Sequence, residues 1–327
     1  MKAIVCEKFG SIDDLKYKDM PEPVAGTGQV LVNVKAAGVN FPEALMVQGL
    51  YQAKPNLPFI PGSEFSGIVS VLGKGVENFQ VGDRVLGLSP NFGAFAEMIA
   101  LDVQSLIPVP EDMPIRDAAN ILLAHGTAHH ALKQRGRLRA GEALVVLGAA
   151  GGTGIAAVQI GKAMGARVIA ACSTVEKLGL AKSNGADELI NYTEQDLKVA
   201  IKDLTGGKGA DVVYDPVGGK AFSACSRAMA RSGRLLVIGF ASGEIPTLPV
   251  NLPLVKEYAL VGVFWGSFIR HEPDVYASNL REMFDWYADG KIEIVVDEEL
   301  PLSKTVDALT KLMNRKVKGK LVLYPGT

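Results

Sequence analysis

A chain of 327 residues is longer than one typical hydrophobic core sustains, so two domains are expected. Hydrophobic residues at 48% and charged residues at 21% exclude a disordered chain, and a net charge of -1 gives no electrostatic reason to expect nucleic acid or an anionic membrane as partner. Three scattered cysteines (Cys6, Cys172, Cys225), odd in number and without CxxC spacing, argue against a disulfide framework and for a reducing cytoplasm. The opening MKAIVCEKFGSIDD lacks the apolar core of a secretory signal, and no stretch reaches the roughly 18 apolar residues of a membrane span. A soluble cytoplasmic protein is expected.

The first third reads as short strands divided by turns: Lys2–Phe9, Gln29–Ala36, Gly67–Leu72, Arg84–Leu88 and Ala94–Ala100. Proline crowds the gaps (Pro21, Pro23, Pro55, Pro58, Pro61, Pro90, Pro108, Pro110), which suits edges and loops and predicts an irregular, mostly antiparallel barrel. From Ile115 the pattern changes. Ile115–Leu132 has helical composition, and Ala143–Leu147 is an apolar run suited to a strand buried on both faces. Thr153–Met164 then reads as a helix, Arg167–Cys172 as a strand and Glu176–Asn184 as a helix. Further strands are expected at Glu188–Ile190, Val212–Tyr214 and Leu235–Ile238, with helices at Glu194–Leu204 and Lys220–Ala230. Such alternation calls for an α/β domain with a doubly wound parallel sheet. Leu260–Phe264 reads as its last strand, an apolar edge that two copies could hide in a homodimer. Beyond it Tyr276–Ala288 and Thr305–Met313 read as helices and Lys320–Leu323 as a strand, a tail expected to fold back onto the first domain.

The strongest motif is GAAGGTG, Gly148 to Gly154, which leaves strand Ala143–Leu147 and opens helix Thr153–Met164. Gly148 permits a sharp exit from the strand. Gly151 and Gly152 leave no Cβ to hold a diphosphate off the backbone, Thr153 begins the helix, and Gly154 lets it approach closely. The free N–H groups and positive helix end then suit a dinucleotide. NAD-specific folds carry Asp or Glu about 20 residues on, at the tip of the second strand. Here that tip is Cys172-Ser173-Thr174, and Lys177 follows one turn later, so NADPH is expected; Lys177 also reads as a solvated helix lysine.

With these features in place, the sequence resembles the quinone oxidoreductase (zeta-crystallin-like) branch of the medium-chain dehydrogenase/reductase superfamily. The resemblance rests on AAGVNFPEALMVQGLY (36–51), PFIPGSEFSGIVSVLGKGVENFQVGDRV (58–85), HGTAHHAL (125–132), GEALVVLGAAGGTGIAAVQIGKAMGARV (141–168), GADELINY (185–192), ADVVYDPVGG (210–219) and GRLLVIGF (233–240). It implies a GroES-like catalytic domain at 1–122 and 266–327 around an NADPH-binding Rossmann domain at 123–265, with the active site between them. Zinc-dependent relatives carry Cys and His where this chain has Asn40 and Ser63, and the third ligand position falls on Leu123, so no zinc is expected. His125, His129, His130 and His271 lack convincing ligand spacing and are expected on helix surfaces or packed in the cleft.

By position the resemblance places Tyr192 and Arg315, with Ser173 and Lys177, around the 2′-phosphate; Arg315 also reads as a surface charge in the run Asn314–Lys320. It puts Thr127, Phe240 and Phe264-Trp265-Gly266 beside the nicotinamide. Asn40 and Tyr51 fall at the substrate face, where an amide N–H and a phenolic O–H could stabilise a developing oxyanion. Each has a plainer reading: Asn40 as the cap of a turn before Phe41-Pro42, Tyr51 as a packing ring. The implied reaction is reduction of a quinone or other conjugated carbonyl by NADPH; no Ser-Tyr-Lys array or His relay offers a dedicated acid, and with the donor left open, water could supply the final proton. The alternatives are a reductase of 2-enoyl thioesters or acrylate-type acids, where Arg270 could meet the anionic group, and a non-catalytic NADPH-binding protein of crystallin or RNA-binding kind.

Overall fold

The structure, a computed structural model, describes residues 1–52 and 54–326. By contacts the chain forms two compact units, one from residues 1–123 and 296–327, the other from 124–295.

The first unit carries β1 (Lys2–Val5), β2 (Lys16–Asp19), β3 (Gln29–Val39), α1 (Phe41–Val47), β4 (Glu64–Leu72), β5 (Arg84–Leu88), β6 (Met98–Asp102), β7 (Leu106–Pro108) and α2 (Ile115–Ala118). The next segment runs α3 (Leu122–His130), β8 (Ala143–Leu147), α4 (Gly152–Ala163), β9 (Arg167–Cys172), α5 (Val175–Ser183) and β10 (Glu188–Asn191). It continues with α6 (Leu197–Leu204), β11 (Ala210–Asp215), α7 (Gly219–Arg227), β12 (Met229–Val237), α8 (Asn251–Lys256), β13 (Ala259–Gly262), α9 (Trp265–His271) and α10 (Pro273–Ala288). Then β14 (Val296–Pro301), α11 (Thr305–Met313) and β15 (Lys320–Tyr324) return to the first unit.

In the first unit the sheet runs β14-β15-β3-β4-β5-β7, with β6 also on β3, and every pairing except β14–β15 is antiparallel. Its core is built from alternate residues of these strands, among them Val30, Val32, Val34, Phe65 and Val69, closed by Leu309 of α11 and Leu321 and Leu323 of β15. The long β3 is the axis of the unit. Leu321–Leu323 pair with Ala37–Val39 at its carboxyl end, so the last strand lies beside the start of α1.

In the second unit six parallel strands follow the order β10-β9-β8-β11-β12-β13. Every residue of β8 is buried, as a central strand covered on both faces requires. The order reverses at β8, because the chain winds outward to β10 and then returns to place β11 on the opposite side. Ligands of such sheets bind beyond the carboxyl ends of the strands at that reversal. The doubly wound sheet and the separate, mostly antiparallel sheet agree with the expected fold class.

Three local expectations are corrected. Ile115–Leu132 is two helices, because Asn120 Nδ2 donates to Arg116 O at 2.8 Å and closes the first. The helix expected to reach Ala230 ends at Arg227, since Ala228 O accepts from Ala210 N at 2.9 Å and Met229 already pairs with β11. Residues 266–295 do not fold back onto the first unit. They pack in the second, where Phe268 stacks on His130 with ring centroids 3.8 Å apart and Gln134 donates to Asn279 at 3.0 Å. No helix among the described residues is long and apolar enough to cross a membrane.

Candidate active site

The glycine turn sits at the carboxyl end of β8, at the strand-order reversal. Gly148 has φ +59, and a Cβ built on Gly154 would lie 2.1 Å from Gly148 O, so the first turn of α4 tolerates no side chain there. Gly151 differs: a Cβ on it would meet nothing nearer than Gly148 O at 3.5 Å, an ordinary contact. The fold therefore demands Gly154 but not Gly151, and the bare backbone at Gly151 leaves room for a diphosphate against the start of α4. The N-terminus of α4 has no side-chain cap. Thr153 shares a hydrogen bond with Tyr214 of β11, which ties the helix start across the reversal and engages its hydroxyl within the protein. At the end of β11, Asp215 Oδ1 accepts from the N–H groups of Val217 and Gly218, each at 2.8 Å, and closes the neighbouring turn. These features fit a dinucleotide.

The other sequence-assigned cofactor residues fall partly around this end. Half-buried Ser173 follows β9, and its carbonyl accepts from Thr193 Oγ1 at 3.2 Å. Lys177 lies in the first turn of α5, capped by Thr174, whose Oγ1 accepts from Lys177 N at 3.3 Å. Tyr192, after β10, packs partly buried on the sheet core. Phe240 follows β12 and lies against Gly218, where a Cβ would come within 3.1 Å of its ring. Trp265 is buried and meets Tyr276 edge-on, and a Cβ on Gly126 would strike its indole at 2.8 Å. Trp265 is thereby brought to the helix carrying Thr127. Phe264 is 55% exposed, and Gly266 follows within α9. Arg315 is exposed with φ +56 and belongs to the other compact unit.

The first unit holds a buried polar cluster. Asn40 precedes α1, with Pro42 in the first turn, and its side chain is inside. Lys320, the last residue of the charge run beginning at Asn314, is only 4% exposed. Its ammonium donates to Asn40 Oδ1, to Glu64 Oε1 at 2.8 Å and to Val39 O at 3.3 Å, so its three donors are all used. Asn40 Nδ2 donates to Glu64 Oε1 at 2.9 Å and, at the longer 3.4 Å, to Gly38 O. Because a lysine only donates and a carboxylate beside it accepts, the Asn40 amide has one permitted orientation. Glu64 Oε2 accepts from Leu123 N at 2.9 Å. Glu43, fully buried in α1, accepts from Asn40 N at 3.0 Å, Ser63 N at 3.1 Å and Ser63 Oγ at 2.7 Å. Burial pushes its carboxyl up to about 7 against the weaker opposing pull of the Ser63 bond, its backbone bond and the Lys320 charge. Tyr51, half-buried on the same core, has its phenol pushed up by burial and by the nearby Glu43 charge.

Sequence reasoning pointed to Asn40 and Ser63 but missed Glu43, Glu64 and Lys320. Glu64 sits in the quoted PGSEFSG and Lys320 beside Gly319, yet no spacing reveals partners 256 residues apart. The histidines on α3 are core residues: His129 Nε2 lies 2.6 Å from Glu282, His125 Nε2 lies 3.2 Å from Gln159, and His130 stacks on Phe268. His271 is exposed. Among the described residues, no group of three His, Cys, Asp or Glu is arranged to hold a metal ion.

Comparison with known proteins adds the following. A family model described as zinc-binding dehydrogenase matches residues 152–287, and one described as alcohol dehydrogenase GroES-like domain matches residues 26–111. The chain is 36% identical over 324 residues to a quinone oxidoreductase-like protein 2 homolog of Nematostella vectensis, covering 98% of this chain and 88% of that one. Among solved structures it is similar to a probable oxidoreductase from Mycobacterium abscessus, at 38% identity and TM-score 0.89 over 99% of each chain. It is also similar to the Escherichia coli quinone oxidoreductase solved in complex with NADPH, at 28% identity and TM-score 0.92 over 99% of this chain and 100% of that one.

Proposed function

As this chain belongs to the zinc-free quinone oxidoreductase branch of the medium-chain dehydrogenase/reductase superfamily, we propose that it reduces quinones or other conjugated carbonyl compounds with NADPH. The observation that carries this reading is the Lys320–Asn40–Glu64 cluster, an amide held in one orientation by a buried ammonium at the position where zinc-dependent relatives carry a ligand.

Bound NADPH supplies the hydride. The start of α4 holds its diphosphate, with the N–H of Gly152 facing it, Gly151 leaving the space, and Thr153 and Gly154 shaping the helix start. Ser173, Lys177 and Tyr192 receive the 2′-phosphate, and the absence of a carboxylate at Ser173-Thr174 removes the repulsion that would favour NADH. Thr127, Phe240 and the segment Phe264-Trp265-Gly266 flank the nicotinamide.

Charge develops on the substrate oxygen as the acceptor is reduced, and a donor fixed in advance stabilises it without reorganising. Of the two Asn40 amide hydrogens, the one on Glu64 is held firmly. The one facing Gly38 O makes a long bond at 3.4 Å, and it is the one left to share with the substrate oxygen while the amide stays in place. The ammonium on Oδ1 polarises the amide and strengthens that donor. Tyr51 supplies the second contact.

We further propose a cytoplasmic homodimer joined through β13. Among the described residues this strand pairs only with β12, and Leu260 on it is 44% exposed, so a second copy added edge to edge would cover an open apolar edge. Three free, buried cysteines suit a reducing compartment. Oxidation of NADPH in the presence of a panel of quinones, alkenals, enoyl thioesters and acrylates tests the activity. Turnover restricted to thioesters or acrylates would replace the substrate class, and NADPH binding without any turnover would point to a non-catalytic role.

A further inference from the structure

Reduction of a conjugated carbonyl leaves an electron pair on the substrate oxygen or its conjugate carbon, and a proton must follow. The cluster around Asn40 narrows the sources. Lys320 spends all three N–H groups on Val39 O, Asn40 Oδ1 and Glu64 Oε1. Both Glu64 oxygens are taken, one by Lys320 and Asn40, the other by Leu123 N. Tyr51 becomes a weaker acid through burial. One carboxyl remains: Glu43, fully buried, with Ser63 Oγ 2.7 Å from its Oε1.

We propose that Glu43 is the proton reservoir of the reaction and that the Ser63 hydroxyl hands its proton on to the reduced substrate. The inference rests on the oxidoreductase reading above. With Glu43 neutral, its O–H donates to Ser63 Oγ, and the Ser63 O–H is then free to point outward, from the position where zinc-dependent relatives carry a metal ligand. The Ser63 hydroxyl gives its proton to the substrate oxygen and takes the Glu43 proton, so O–H bonds break at Glu43 and Ser63 and form at Ser63 and the substrate. Glu43 is left a carboxylate, and the N–H groups of Asn40 at 3.0 Å and Ser63 at 3.1 Å stabilise it until water returns the proton. No oxidant or reductant beyond the hydride is consumed. A carboxyl pushed up to about 7 is matched to this task at neutral pH. The charged groups acting on it are Lys320 from β15 and Glu64 from β4, and the neutral phenol of Tyr51, after α1, lies within reach of its charge. On α11, which also packs on α1, Asp307 pairs with Lys304 at 3.0 Å, and Lys311 pairs with Asp297 at 2.8 Å and Glu298 at 2.7 Å.

The test is Glu43→Gln, which keeps size and hydrogen bonding to Ser63 but has no acidic proton. Expected are unchanged NADPH affinity by fluorescence titration, a fall in kcat for quinones of about tenfold or more, and loss of the activity decline that wild type shows as pH rises through about 7. Infrared spectra of the resting protein should show a protonated buried carboxyl band that disappears over the same pH range and is missing from the variant. Should Glu43→Gln fold poorly, Ser63→Ala leaves the carboxylate and its bond to Asn40 N in place and should give the same loss and the same flattened profile. Native kcat with the wild-type alkaline decline in either variant would overturn the acid assignment alone. A wild type that reduces no conjugated carbonyl would overturn the function and the acid together.

Discussion

The glycine turn and the Asn40 cluster solve the same problem, holding charge away from water, by opposite means. At the turn, the site is bare backbone: Gly151, whose own N–H donates to Gly148 O at 3.0 Å, leaves the approach to the helix start clear, and Gly154 is compelled by a contact of 2.1 Å that any Cβ would make. At the cluster the charges sit on side chains, and these are partnered inside the protein by one another and by nearby backbone groups. Sites made of backbone depend on what is missing, so they yield to the removal of space. Networks of side chains depend on mutual neutralisation, so they yield to the removal of one member.

The sharpest break should come from Lys320→Met. It leaves Glu64 buried and unpaired beside Asn40, a change that typically costs roughly 3–5 kcal/mol. Denaturant unfolding should show that loss, and the double variant with Glu64→Leu should recover most of it. If the single variant is as stable as wild type, the cluster is not the charge-balanced unit described. Gly154→Ala comes next. Its methyl meets backbone rather than a flexible side chain, so a loss of roughly 1–3 kcal/mol is expected together with weakened NADPH binding. Gly151→Ala should spare stability and reduce NADPH affinity alone; equal stability losses for the two glycines would erase the distinction between fold-required and ligand-required positions.

Smaller effects separate the roles within each region. Asn40→Ala should lower kcat for quinones by about 2 kcal/mol in the barrier while NADPH affinity stays native, and Tyr51→Phe should lose less, partly in KM. A variant whose kcat is unchanged would leave Asn40 as the cap of α1 only. Lys177→Ala should weaken NADPH binding by about tenfold, limited by screening at a half-exposed site, and leave NADH nearly unaffected. Equal native affinity for both cofactors would remove the basis of the phosphate pocket.

Stability should also depend on pH through Glu43. Its carboxyl is raised on folding, so its contribution is fully present below the ordinary value of 4.5 and is lost as pH rises through about 7. Unfolding of wild type and Glu43→Gln across that range should converge at low pH and diverge at high pH, with wild type losing more.

The same contrast explains what could be read from sequence. The parallel sheet was legible because strands such as Ala143–Leu147 are uniformly apolar and bounded by glycine, and the turn was legible because its chemistry is written within seven consecutive residues. Helix ends near Asn120 and Ala228 were not, since they are set by one side-chain bond and one strand pairing. Lys320 looked like the end of a surface charge run, because the composition of Asn314–Lys320 is polar and nothing local says that its strand will lie against β3. Glu43 carried no signal of its own within the quoted segment 36–51. Its neighbours, Ser63 and the Asn40 backbone, exist only once β3 and β4 are paired.

The distance along the chain between Glu64 and Lys320 has a consequence for synthesis. The carboxylate leaves the ribosome 256 residues before its ammonium. At roughly 5–20 residues per second that is a delay of tens of seconds. During it β3 and β4 can meet, but sealing Glu64 from water without its counter-ion would be uphill. The nascent first unit must therefore wait, loosely closed and with its carboxylates hydrated, while the whole parallel-sheet unit is made. The arrival of β15 is then the event that locks the cluster, and a chain stopped short of it would present chaperones and proteases with an open polar core.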